Sequence, residues 1–431
     1  MIRFIDARLQ RPAEIALPSP VGETGQTTVE EAVKAILERV QKEGDEAVRL
    51  YNEKFGGGTK KTLRVSPEEI DAAFARADKK FIRILRAAIK NIRRFHREQK
   101  RSSWTLEERD GAELRQLIRP IDRAGVYVPG GKAAYPSTVL MNVIPAQEAG
   151  VKEIHLVSPP DAKGNVHQDV LTAAKLLGVT DIYRAGGAQA IAALAFGTGT
   201  IPAVDKIVGP GNIYVATAKK MVFGRVGIDS FAGPSEVVVL ADRTANAAFV
   251  ATDMLAQAEH DELASSVLVT TDEALAHDVT SMLEGYAGEL PRAEIMKKAL
   301  GSRSAVYLVR SIADAIELTN RMAPEHLEII TKNDESVLKK IRHAGSIFLG
   351  NYSPVALGDY YAGPNHVLPT ERTARFASPL SVDDFVKKSS VIRYTQARVR
   401  AAADDVAAFA AHEGLTAHAL SVTIRKETNT Q

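Results

Sequence analysis

A chain of 431 residues with 45% hydrophobic and 25% charged residues is long enough for two or three domains, each with its own core. Its formal net charge of +2 leaves no electrostatic footprint for nucleic acid, and no segment approaches the roughly 20 apolar residues of a membrane span, so a cytoplasmic location is expected. The absence of cysteine excludes disulfides, thiolate zinc sites and any cysteine nucleophile.

In chain order, residues 27 to 101 read as helical. The stretch TTVEEAVKAILERVQKEGDEAVRLYNEKFGG has apolar positions at helical spacing, a Thr start signal and a glycine stop. The basic segment from about Lys79 to Arg101 reads as a solvated helix face. After Gly125 short β-branched runs (EIHLVS, DIYRA, KIVG, EVVVLAD, SSVLVTT, SAVYLV, EIIT, SIFLG) alternate with alanine-rich helical stretches, the pattern of parallel sheets with helical crossovers. There are enough strands for two sheets, one before and one after the GPSE turn at Gly233 to Glu236, and a site is expected in a cleft between them. Beyond about 380 the chain reads as helical again, in a tail too small to bury a core alone.

Three glycine loops follow predicted strands: VYVPGGKAAYPS (Val126 to Ser137), AGGAQAIAALAFG (Ala185 to Gly197) and VGPGNIYVATAKK (Val208 to Lys220). In the last, Gly209 and Gly211 can bring backbone amides to a phosphate at a helix N-terminus, but Tyr214 stands where the dinucleotide fingerprint has its third glycine. From that loop alone a plain strand-to-helix turn is the better reading, whereas three such loops at one sheet edge suit an extended cofactor.

Gln257 and His260 in QAEHD share a helix face and can converge on one ion, although such a pair by itself is more often coincidence. The stretch NYSPVALGDYYAGPNHVLPT, Asn351 to Thr370, sets Asp359 and His366 in a loop too rich in Gly and Pro for regular structure. HEGLTAHA adds Glu413 and His418. Two imidazoles, one carboxylate and one amide would leave a divalent ion with net positive charge, able to act as a Lewis acid on substrate. In APEHLEI, Glu325 and His326 are candidates for water activation and proton abstraction, but for this pair alone a helix start after Pro324 with a surface Glu is the preferred reading. His96, His155, His167, His277 and His343 read as structural or surface residues.

The motifs PGGKAAYPSTVLMNVIPA, GPGN, FAGPSE, QAEHD, APEHLE, LGDYYAGPNHVLPT, ARFASPLSVDDF and HEGLTAHA run in this order from about residue 120 to the C-terminus. Together they resemble the histidinol dehydrogenase family. The resemblance implies an α/β fold of two incomplete Rossmann-like, aldehyde-dehydrogenase-like domains with a helical N-terminal region and a small swapped C-terminal tail. The expected boundaries are 1–22 for an N-terminal arm, 23–125 with 236–378 for a first α/β domain, 126–235 for an NAD-binding second domain and 379–431 for the tail. It places one zinc per subunit on Gln257, His260, Asp359 and His418, and proton handling on Glu325 and His326. Substrate contacts fall on Ser235, His366 and Glu413 as well as on His326 and the metal ligands, and the NAD site on Tyr127, Gln189 and Asn212. It also implies a homodimer whose tail carries Glu413 and His418 into the partner's site. Two departures stand out: Val355 replaces the Glu of many relatives, and Ser230-Phe231 precedes AGPSE where Met and an aliphatic residue are usual.

The reaction so implied is the four-electron oxidation of L-histidinol to L-histidine through bound L-histidinaldehyde, with two NAD used in sequence, as the last step of histidine biosynthesis. Zinc would orient the substrate, His326 would accept a proton in each oxidation, and Glu325 would activate water to attack the aldehyde. This route oxidises an aldehyde without the thiohemiacetal that a chain without cysteine cannot form. Two other classes stay open at this stage: a zinc hydrolase, which would leave the glycine loops unexplained, and a metabolite-binding regulator, which would leave Glu325 without a purpose.

Overall fold

A computed structural model describes residues 2–18, 26–58, 60, 62–107, 111–130, 134–230 and 233–427. The chain divides into two compact units, Met1–Gln99 with Ile121–Phe385, and Lys100–Pro120 with Val386–Gln431.

The first unit opens with strand β1 (Arg3–Asp6) and four helices, α1 (Gln26–Glu43), α2 (Asp45–Lys54), α3 (Pro67–Arg76) and α4 (Lys79–Arg97). The helical texture expected over 27–101 is therefore real but interrupted. It breaks at Gly44, stops after Lys54 and restarts at Ser66, whose hydroxyl accepts the N–H of Glu69 while Glu69 accepts the N–H of Ser66. Asp78 caps α4 through the N–H of Lys80. In α4, Leu85, Ala88, Ile89, Ile92 and His96 are buried along one face, so the Lys and Arg residues between them form the solvated face read from the sequence.

Next comes a hairpin of the second unit, β2 (Trp104–Glu107) and β3 (Glu113–Pro120). The chain returns to the first unit with β4 (Arg123–Tyr127), α5 (Pro136–Ala149), β5 (Glu153–Ser158), α6 (Gln168–Leu176), β6 (Ile182–Arg184), α7 (Gly187–Phe196), β7 (Lys206–Val208), α8 (Ile213–Val222) and β8 (Gly227–Ile228). These five strands are parallel, in the order β6-β5-β4-β7-β8. A second run follows: β9 (Glu236–Ala241), α9 (Ala247–Ala258), β10 (Ser265–Thr270), α10 (Glu273–Ala287), α11 (Ala293–Ser302), β11 (Ala305–Leu308), α12 (Ile312–Met322), β12 (His326–Ile330), α13 (Asp334–Leu338), β13 (Ser346–Leu349) and α14 (Val355–Tyr360). Its sheet is also parallel, in the order β1-β11-β10-β9-β12-β13. All eight strands read from β-branched runs are present, and the two sheets meet at the GPSE turn as expected. Both are buried on two faces, which is why EVVVLA and SSVLVT read as continuous apolar runs rather than alternating ones.

Apart from the added edge strand β1, the two sheets share one winding. The earliest strand lies in the centre and the order reverses beside it, giving switch points between β4 and β7 and between β9 and β12.

The expected grouping of 23–125 with 236–378 differs from the packing. Helices α1 and α2 lie against α7 and α8, α3 against α6, and α4 against α5. Their apolar residues thus join the cores of the five-stranded sheet: Val33, Val40 and Val48 on one face, Ile70, Leu85 and Ile92 on the other. The expected N-terminal arm also contributes β1, paired with β11.

The second unit is a three-stranded antiparallel sheet, β14 (Val386–Arg393) beside β3 beside β2, with two packed helices, α15 (Gln396–His412) and α16 (Thr416–Glu427). The chain beyond 380 is thus not helical throughout: VKKSSVIR is a strand, and the tail forms one unit with residues 100–120.

Candidate active site

The centre is built at the start of β12. Helix α12 ends at Ala323, which takes the left-handed φ of 45° while its N–H still reaches Thr319 O at 2.9 Å, and Pro324 cannot extend the helix. The chain turns into the sheet here, so Glu325 and His326 stand at the mouth of a strand, each 5% exposed. The alternative of a helix start with a surface Glu is overturned. Gly345 passes so close that a Cβ there would fall 2.6 Å from Glu325 O.

One residue of the central strand β9, Glu236, orients both side chains through its backbone. Glu236 donates its N–H to Glu325 Oε2 at 2.9 Å, and its carbonyl oxygen lies 3.1 Å from His326 Nδ1. A ring nitrogen facing a carbonyl must carry the proton, so Nε2 is the bare nitrogen of the neutral ring. His326 Nε2 is buried without a hydrogen-bond partner and lies 3.8 Å from Asp359 Oδ1. It belongs to the wall of a 230 Å³ cavity lined also by Phe348, Leu357, Asp359, Asn365 and His366. Burial alone would depress the imidazole, but the carboxylates of Glu325 and Asp359 prevail and hold it up at about 9. Burial pushes the Glu325 carboxyl above its usual range, opposed by the His326 charge and a hydrogen bond from Ser235.

Helix α9 ends beside this pair. Gln257, in its last turn, is 2% exposed, and neither its amide nitrogen nor its amide oxygen has a partner. Such a group costs about 1–3 kcal/mol unless something else satisfies it. His260, just past the helix, is exposed and interacts electrostatically with Asp359. Asp359 is held below the ordinary carboxylate range: burial opposes this, but His326, His366 and His260 outweigh it. The segment Asn351 to Thr370 is not loop throughout, because Asp359 sits on the six-residue helix α14. The helix follows Pro354, and its first N–H, that of Val355, donates to Oε1 of the buried Glu328 carboxyl at 3.2 Å. His366 does lie in the loop after it, with Nδ1 3.0 Å from Asp359 O, and burial depresses its imidazole.

The glycine loops lie at the carboxyl ends of β4, β6 and β7, one edge of the five-stranded sheet; residues 131–133 of the first are outside the described residues. Tyr127 ends β4, its hydroxyl accepts the N–H of Gly187 at 3.1 Å, and burial raises it to about 12. Gln189 is 2% exposed, with Nε2 3.3 Å from Asn52 Oδ1 and Oε1 unpartnered. Asn212 is exposed and caps α8, accepting from Tyr214 and Val215.

The histidinol dehydrogenase family model matches residues 21–426. The histidinol dehydrogenase of Halalkalibacterium halodurans is 51% identical over 94% of this chain and 96% of its own, and that of Bacillus subtilis 53% over 91% and 92%. The crystal structure of histidinol dehydrogenase from Elizabethkingia anophelis matches with a TM-score of 0.92 at 40% identity, covering 99% of this chain and 98% of that one. The chain belongs to the histidinol dehydrogenase family. Membership makes it an oxidoreductase of histidine biosynthesis, and the family implies NAD as the hydride acceptor and histidinol as the substrate.

The residues present fit NAD and the zinc expected from the sequence. For zinc, the unsatisfied amide of Gln257, the imidazole of His260 and the anionic Asp359 are a borderline-hard donor set of the right kind. Among the described residues no three His, Asp or Glu side chains form a metal site by themselves, in keeping with a set that relies on an amide and on a further ligand. For NAD, the unpartnered Oε1 of Gln189 and the glycine edge offer polar contacts beside an apolar core.

Two more of the expected site residues, Glu413 and His418, belong to the second unit. Glu413 ends α15 and His418 lies in the first turn of α16, both exposed. Of the histidines read as structural, His96 is fully buried between Ile92 O at 2.8 Å and Asn365 Nδ2 at 3.2 Å, His155 lies 3.3 Å from the Tyr183 hydroxyl, and His277 stacks on Phe4. Of the Ser230-Phe231 departure, Phe231 lies outside the described residues.

Sequence reasoning missed three contributors. The Glu236 peptide acts through its backbone and leaves no side-chain signal. Asn365 fixes the His366 loop by donating to Met141 O at 2.6 Å and accepting from Val367 N at 2.9 Å. The carboxyls of half-buried Asp253 and buried Glu328 were legible in principle, the latter as a charge at a core position of β12.

Proposed function

We propose that the chain converts L-histidinol to L-histidine in two consecutive NAD-linked oxidations, with the aldehyde retained between them. The observation that carries this reading is the buried Glu325–His326 pair, oriented by the backbone of one residue, with His326 in the cavity wall and its Nε2 without a hydrogen-bond partner. In the first oxidation Nε2 takes the proton of the substrate hydroxyl, while Nδ1–H stays on Glu236 O and fixes the ring plane. In the second, the Glu325 carboxylate, steadied by the Glu236 N–H, takes a proton from the water that adds to the aldehyde, and His326 then accepts one from the hydrate.

Gln257, His260 and Asp359, with His418 of a second copy, would hold zinc; Tyr127, Gln189 and Asn212 would line the NAD site; Ser235, His366 and Glu413 would contact substrate. When bound, zinc supplies a Lewis acid for substrate nitrogen and oxygen, and NAD supplies the hydride acceptor. As Asp359's charge becomes engaged by a cation, less of it remains to keep the proton on His326, whose value falls toward the range a base needs at neutral pH.

We also read the assembly as a homodimer that exchanges its C-terminal tails. Supporting this, Glu413 and His418 are exposed at the turn between the last two helices, with Phe409 on α15, Leu415 in the turn and Leu420 on α16 also exposed. No helix among the described residues is long and apolar enough to cross a membrane, and a cytoplasmic enzyme drawing on the NAD pool is the reading that fits. The deciding experiment counts NADH formed per histidine released by zinc-loaded protein. Two NADH per histidine, abolished by chelator and restored by zinc, is expected; NADH without histidine would limit the enzyme to one oxidation, and no NADH would remove the dehydrogenase reading.

A further inference from the structure

The loop between β7 and α8 is fastened by two charged side chains that the chemistry above does not use. Gly209, its first residue, has φ 116°, and a Cβ there would fall 2.1 Å from Tyr127 O, so no side chain can hold the loop at this point. Its backbone is held instead. The N–H donates to Asp229 Oδ2 at 2.8 Å, and the carbonyl oxygen accepts from Lys219 Nζ at 3.1 Å. Lys219 and Asp229 are themselves ion-paired, with side chains 2% and 3% exposed.

The placement of the pair is informative. Lys219 lies late in α8, the helix that the loop opens, and Asp229 directly follows β8, the neighbouring edge strand. Asp229 Oδ1 also accepts the N–H of Ser230, the first residue of the crossing that leads to Ser235. The pair therefore closes a ring through Gly209, α8 and β8, pressing the loop against Tyr127. Burying two charges is expensive, and apolar residues of the same volume would pack at least as well, so stability alone is a weak reason for this arrangement. With opposite charges in contact, the pair offers little net attraction to a phosphate. It acts through geometry.

We propose that Lys219 and Asp229 are positioning residues for NAD: they lock Gly209 and thereby set the height at which the Gly209–Asn212 loop and Tyr127 meet the cofactor. The inference rests on the NAD reading above and names the device that makes that edge rigid.

The test is direct binding of NADH, followed by its fluorescence in protein without added zinc or histidinol, together with the separate KM values for NAD and histidinol. The double variant Lys219→Met/Asp229→Leu removes both charges and both loop hydrogen bonds while keeping apolar volume. Its Kd for NADH and KM for NAD should rise about tenfold or more, the worth of one to two hydrogen bonds, with KM for histidinol and kcat at saturating NAD changed less than about twofold. Asp229→Asn keeps one acceptor for Gly209 and should fall between the double variant and the parent, and it decides the matter if the double variant does not fold. NADH binding unchanged in either folded variant, or equal losses for NAD and histidinol, would overturn the proposal. Failure of the parent protein to bind NADH would instead remove the NAD reading itself, and this inference with it.

Discussion

Nε2 of His326 stands 3.8 Å from Oδ1 of Asp359, beyond hydrogen-bond reach but close enough for each to shift the other's charge. One carboxylate thus connects the proton acceptor to the cluster that would hold the metal. The two functions are separable by mutation. His326→Asn should lower kcat by about 10²- to 10⁴-fold, the usual worth of a general base, without loss of zinc content. Glu325→Gln should spare oxidation of the alcohol more than oxidation of the aldehyde in single-turnover assays with each substrate; equal losses would refute the division of labour.

Gln257 offers a test independent of turnover. Its two buried amide atoms lack partners, so in metal-free protein Gln257→Leu should raise stability by about 1 kcal/mol or leave it unchanged. Zinc content should fall in parallel. Thermal unfolding in chelator, with metal analysis after reloading, checks both; a destabilised apo variant that loads zinc normally would make Gln257 a packing residue.

The carboxyls of half-buried Asp253 and buried Glu328 are both pushed up, chiefly by desolvation, with Glu328 raised further by the Asp253 charge. Because the folded state holds a proton that the unfolded chain has already released, their contribution weakens the fold as pH rises from the ordinary carboxylate range through neutrality. Glu328→Gln keeps an acceptor for the Val355 N–H and removes one titration. Urea midpoints of metal-free protein between pH 5 and 8.5 should fall less steeply in the variant, by roughly 1–2 kcal/mol across the range. Parallel curves would show that the pair does not titrate in this window.

A shared site predicts complementation. His418→Ala and His326→Asn proteins, each inactive, should recover about a quarter of the parent rate after mixed refolding, since half the dimers are hybrids with one intact site each. Verified hybrids without activity would place both residues in a site made by one chain.

Where periodicity reported burial, the sequence was readable: eight β-branched runs are eight strands, and α4 carries its charges on one face. The strand β14 escaped because VKKSSVIR has neither an apolar run nor a buried face, being set by its pairing with β3. The packing of α1 to α4 escaped because an amphipathic face does not say which sheet it covers. Glu325 and His326 were named by resemblance, whereas local reading favoured a helix start; only Ala323 in a left-handed turn, which no propensity anticipates, sends that segment into the sheet. The C-terminal-edge rule located the glycine loops but not the catalytic pair, which stands at the amino end of its strand.

The Glu236 peptide carries one further implication. It belongs to a strand hydrogen-bonded on both sides, and His326 faces Val237 across the β9–β12 pairing. Sliding either strand by one residue would turn every side chain of that strand to the opposite face. The aim of the acid and the imidazole is therefore recorded in the alignment of two core strands. Side chains around the cavity can be exchanged, changing what is admitted, while the proton-handling geometry changes only if the two strands are re-paired.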